Sequence, residues 1–157
     1  MQSKLSLSEF RARLKNNTQI GSPRLKLSPF SFLTIFDEHS KPFYGLFDDK
    51  DFRLTINYAA TPTFFIIKGR YKIINHRLDV NYRIEPHPKF YLFWIKYMPI
   101  TVLIFMNIML FLPENRLIEA IIPVNIVLLF ILFFSRWDTK RRRKNLEKKF
   151  IEIFEIE

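Results

Sequence analysis

The sequence predicts an α+β membrane protein, in which a small antiparallel sheet outside the bilayer is joined to a transmembrane helical hairpin and an amphipathic C-terminal helix. Three observations carry that expectation. Two long apolar stretches stand in series, YLFWIKYMPITVLIFMNIMLFL from Tyr91 to Leu112 and LIEAIIPVNIVLLFILFFS from Leu117 to Ser135. At about 1.5 Å of rise per residue, each reaches across a hydrocarbon layer roughly 30 Å thick. Ahead of them, from Arg24 to Ile84, apolar residues recur with the period of two that marks half-buried strands. Charge completes the pattern: of the net +10, the basic residues crowd the outer flanks of the apolar pair, and the connector Pro113 to Glu119 is slightly acidic. That is the positive-inside arrangement, with both termini cytoplasmic and the connector on the far side.

Composition agrees with a segregated chain. Hydrophobic residues make up 48% of it, yet mean hydropathy is only -0.01, so polar ends surround an apolar middle. The 157 residues suffice for one small domain and a membrane hairpin, and they include no Cys. Disulfides and thiolate chemistry are excluded, as fits a cytoplasmic domain. The opening MQSKLSLSEFRARLKNN holds no continuous apolar segment, so insertion falls to the first membrane helix and not to a cleaved leader.

Residues 1–20 are expected to hold an amphipathic helix. Ser6 and Glu9 have capping-box spacing, and Leu7, Phe10 and Leu14 share one face, for packing on the domain or on a membrane surface. Residues 21–89 follow as the β domain. RLKL, FLTIF, FYGLF, FRLTINY, FFIIKGRYKII and RLDVNYRI are its strands, separated by the turn segments SPFS, DEHSKP, DDKD, AATPT and NH. In the fourth, Phe52, Leu54, Ile56 and Tyr58 alternate with polar residues, so one face needs a cover. Gly69, isolated in a strand, marks a bulge or a close backbone approach.

The hairpin occupies residues 90–136. Lys96 stands in its first turns, where the side chain snorkels toward the headgroups, and Tyr91, Trp94, Tyr97 and Trp137 form an aromatic belt at the same level. Pro99 and Pro123 each remove a backbone donor without preventing a span. Asn107 and Asn125, in a hairpin centred near residues 114 and 115, fall within about one turn of each other and form hydrogen bonds inside the hairpin or with a partner. Residues 137–157 then form a basic helix with a stripe at Leu146, Phe150, Ile153, Phe154 and Ile156, for packing on the sheet or on another protein.

Chemistry-bearing motifs are sparse. His39, His76 and His87 are dispersed, no HExxH or Cys pair occurs, and Gly21, Gly45 and Gly69 build no phosphate loop. The carboxylates of DDKD read as a solvated turn. The strongest electrostatic feature is KRRRKNLEKK, in which Lys140, Arg141, Arg142, Arg143 and Lys144 are expected to fix topology and bind anionic phospholipid headgroups at about 1 kcal/mol per basic residue. Nucleic acid ranks second as a partner and is not expected.

The order FYGLFDDKDFRLT, TPTFFIIKGRY, RLDVNYRIEPHPKFYLFWIK, apolar hairpin and RRRKNLEKKF resembles a group of small bacterial membrane proteins of Bacteroidota and Firmicutes. In that group a cytoplasmic sheet is interrupted by two membrane helices. The landmarks are Gly45, Phe52, Pro62, Gly69, His87, Pro88, Phe90, Trp94 and Leu146, over residues 43 to 150. A similarity to pleckstrin-homology-like membrane proteins implies a bent sheet capped by a terminal helix. The resemblance brings no catalytic residue.

The expected function is that of a non-enzymatic accessory or scaffold subunit in a bacterial inner-membrane complex, without cofactor or metal, meeting a membrane protein or a second copy of itself. Two other classes compete. An oligomeric channel or transporter would line its path with Asn107 and Asn125. A lipid-acting enzyme would gather Glu85, His87 and Lys96 where the sheet meets the membrane.

Overall fold

The structure, a computed structural model, describes residues 1–22, 41–57, 64–87, 89–111 and 118–157. The expected strands RLKL and FLTIF, the turn AATPT and the connector over 112–117 lie outside these residues. The chain forms two compact units, one of Met1–Pro88 with Arg142–Glu157 and one of Lys89–Arg141.

The first unit is a six-stranded sheet with helices on one face. Its elements are β1 (Gln2–Ser3), α1 (Leu7–Asn17), β2 (Thr18–Ile20), β3 (Phe43–Phe47), β4 (Asp51–Ile56), β5 (Phe65–Ile74) and β6 (Arg77–Pro86), in sheet order β1-β6-β5-β4-β3-β2. Neighbours are antiparallel except β2 and β3, which run parallel. The sheet is thus mostly, not wholly, antiparallel. Strands β3 to β6 arise where apolar and polar residues alternate. Asn75 and His76 join β5 to β6 with φ of 50° and 62°, the left-handed pair that a two-residue hairpin turn requires.

Register decides what each face carries. Phe52 lies opposite Gly69 and Gly69 opposite Tyr82, so the Phe52 ring lies over Gly69, and any Cβ there would collide with it. The expected close approach is therefore real. On this inner face Phe43, Phe52, Leu54, Ile67, Tyr71 and Val80 are buried.

Two helices cover that face. In α1, Ser6 Oγ accepts from Glu9 N while Glu9 Oε2 accepts from Ser6 N at 2.9 Å, and Phe10 stands 5.0 Å from Tyr71 and 4.9 Å from Phe154 by ring centroids. Helix α3 runs from Ile118 to Phe154. Its last turns put Phe150 5.3 Å from Phe52 and Phe154 6.0 Å from Phe43. The end of α3 is also sewn to the start of the chain: Ser3 Oγ donates to Phe154 O (2.7 Å), Glu157 N to Gln2 O (2.8 Å), and Arg13 to both Ile153 O (2.7 Å) and Glu155 (2.6 Å).

The second unit holds α2 (Lys89–Phe111) and α3 as far as Arg141. The sequence reading divides the hairpin from a separate C-terminal helix between 136 and 137, whereas the backbone is helical without a break. No Gly or Pro interrupts Arg136–Lys149, and its Lys, Arg, Glu and Leu residues favour a helix. Composition changes there, but backbone conformation does not.

Candidate functional site

In the second unit, α2 and α3 are each long and apolar enough to cross a membrane, and the most apolar stretch of each, within Leu92–Phe111 and Glu119–Phe154, has no buried residue. Among these apolar positions are two amides. Asn107 Nδ2 donates to Asn125 Oδ1 (2.7 Å), Asn125 Nδ2 donates to Asn107 Oδ1 (2.9 Å), and Asn107 Nδ2 also donates to Leu103 O (2.8 Å). The reciprocal pair satisfies both side-chain carbonyls and joins the helices to each other.

Aromatic rings gather toward the start of α2. Phe90 and Trp94 stack at 5.9 Å, Phe93 and Tyr97 lie 4.7 Å apart, and Lys96 Nζ stands 5.0 Å from the centre of the Tyr97 ring. Trp94, Tyr97 and Trp137 are exposed. The side chain of Tyr91 lies outside the described residues. On α3 the Arg141 guanidinium sits 5.2 Å over Trp137.

The border between the units falls within the basic run. Lys140 and Arg141 belong to the second unit; Arg142, Arg143 and Lys144 belong to the first. Arg142 is half-buried, 5.1 Å over the Phe64 ring. The other four are exposed, and among the described residues they have no ion pair.

Sheet register assembles a group that the sequence reading missed. On the outer face of the first unit, Arg53 lies directly opposite Lys68, and Lys68 directly opposite Arg83, across β4, β5 and β6. Like charges in such pairs oppose sheet formation by a few tenths of a kcal/mol to about 1 kcal/mol each. One carboxylate serves two of them: Glu85 Oε2 meets Lys68 Nζ at 2.6 Å and Glu85 Oε1 meets Arg83 Nε at 2.6 Å. Arg53 is exposed and has no ion pair among the described residues. In the sequence each cation is an ordinary polar residue of an alternating strand; only the pairing places them in line.

Of the residues considered for a lipid-acting enzyme, Glu85 pairs with Lys68 and Arg83, and His87 N donates to Phe64 O (2.9 Å). Among the described residues no three His, Asp or Glu side chains gather as metal ligands. Asp48 turns its carboxylate onto Lys50 N (2.8 Å) and Asp51 N (2.6 Å), which holds its pKa below the ordinary value. This is a turn that caps itself. Tyr82 packs its ring 5.0 Å from Phe150, and its buried hydroxyl, beside the Glu147 carboxylate, makes no hydrogen bond of good geometry among the described residues. Burial, with the Glu147 carboxylate adding to it, pushes that phenol above its usual pKa.

No protein-family model, curated protein or solved structure matches the chain.

Proposed function

We propose that the chain is a non-enzymatic, membrane-anchored accessory or scaffold subunit of a bacterial inner-membrane complex. Its two apolar helices span the bilayer, both termini are cytoplasmic, and the sheet stands in the cytoplasm. A membrane protein or a second copy is its partner, and Lys140, Arg141, Arg142, Arg143 and Lys144 bind anionic phospholipid headgroups. The observation that carries this reading is the absence of any buried residue from the most apolar stretch of each long helix. Phe105, Ile108, Phe130 and Phe133, each at least half exposed, would form in water an apolar surface far larger than monomeric soluble proteins tolerate. Hydrocarbon removes that cost.

Basic residues beside the helices favour the cytoplasmic side for both ends, and the amide pair gives the hairpin an internal polar lock compatible with lipid. Reporters fused at each terminus and at position 115 test the topology. Cytoplasmic signal at both ends and the opposite signal at 115 is expected; a cytoplasmic connector, or protein released by carbonate, overturns it. Purification in mild detergent with mass analysis tests the scaffold role, which predicts a co-purifying chain or an oligomer and fails on a strict monomer.

A further inference from the structure

We propose that the outer face of the sheet binds a doubly charged phosphate group at Arg53, Lys68 and Arg83. Strand spacing sets neighbouring members of this row about 4.8 Å apart at the backbone, near enough for their long side chains to close on one ligand. Glu85 offsets a single charge, so the row retains two positive charges, which a phosphate dianion balances and a lone carboxylate does not. Donors remain for it. Arg83 engages Glu85 through Nε, leaving both terminal nitrogens, and Arg53 offers its whole guanidinium fork.

The row also breaks a local rule of sheet stability without a compensating contact at Arg53. Such conflicts are expected where function outweighs stability. Other cations on the same face are treated differently: Arg70 Nε is 2.7 Å from Asp51 Oδ1, and Lys72 lies opposite Asp79. Among the described residues, only in the Arg53 row does a cation face a cation across β4, β5 and β6. This site is separate from the Lys140–Lys144 run and does not depend on the lipid reading of that run. The phosphate could come from a soluble diphosphate or a phosphomonoester lipid headgroup, and the experiment distinguishes these sources.

Thermal melts of the sheet, followed by circular dichroism on the full chain in phosphatidylcholine nanodiscs, test the proposal. Without ligand, Arg53→Gln should raise the midpoint at low salt by about 2 °C, because it removes a repulsion. Inorganic pyrophosphate should raise the midpoint of the native chain, and Arg53→Gln should weaken that binding at least about tenfold, whereas Lys72→Gln leaves it unchanged. If pyrophosphate has no effect but phosphatidic acid in the disc raises the midpoint, and Arg53→Gln abolishes the rise, the ligand is a lipid headgroup. No shift with either probe overturns the proposal. So does a shift that Arg53→Gln and Lys72→Gln leave equal.

Discussion

Helix α3 carries phenylalanine in two opposite situations. Near its end, Phe150 and Phe154 are fully buried against the sheet; nearer its start, Phe130 and Phe133 are 67% and 66% exposed. The side chain is the same, so what differs is the pattern around it. Phe150 and Phe154 share one face of a segment whose other faces carry Lys148, Lys149, Glu152 and Glu155. Phe130 and Phe133 sit in a segment that is apolar on every side, where no single face can be the inside. One unit conceals its apolar residues within itself, and the other presents them to its surroundings.

Truncation at the two sites should separate these situations most strongly. Phe150→Ala removes a ring that contacts Phe43, Phe52, Tyr82 and Phe154, and should cost the first unit about 3–5 kcal/mol in chemical denaturation. Phe133→Ala should leave that midpoint within about 0.5 kcal/mol. Equal losses at both positions would remove the distinction between the units.

A smaller effect is expected at the amide pair. Asn107→Leu leaves Asn125 without its partner and should weaken the helix pair by about 1 kcal/mol in mixed-micelle unfolding, with the sheet unchanged. Replacing both by Leu should recover part of that loss, because no unmatched amide remains. A double variant weaker than the single one would mean that the pair contributes more than mutual satisfaction.

The smallest expected effect has the opposite sign. Tyr82→Phe deletes a buried hydroxyl that makes no hydrogen bond of good geometry among the described residues while preserving the ring on Phe150, so stability should be unchanged or rise by up to about 1 kcal/mol. Destabilisation on denaturant titration would show that the hydroxyl interacts favourably after all.

Legibility in the sequence followed the length of the pattern. Strands β3 to β6 and α1 were readable because alternation and a capping box are local signals. The strands β1 and β2, of two and three residues, are too short to carry a period, and they exist because longer neighbours offer them an edge. The meeting of Asn107 and Asn125 follows from counting residues about the hairpin centre. The Arg53, Lys68 and Arg83 row does not, since it depends on register across three strands. The unbroken α3 was hidden for a different reason: an abrupt change from apolar to charged residues suggests a boundary, although nothing at that point ends a helix.

The insertion of Lys89–Arg141 between the strands and their covering helix also has a consequence during synthesis. Strands β3 to β6 leave the ribosome first, while Leu146, Phe150 and Phe154 have yet to be translated. At about 5–20 residues per second, the delay is on the order of seconds. Throughout that interval Phe43 and Phe52 lack the Phe150 ring that later packs against them, and Phe10 lacks Phe154. The nascent sheet is therefore open to chaperones, or to pairing with another chain, until the end of α3 arrives.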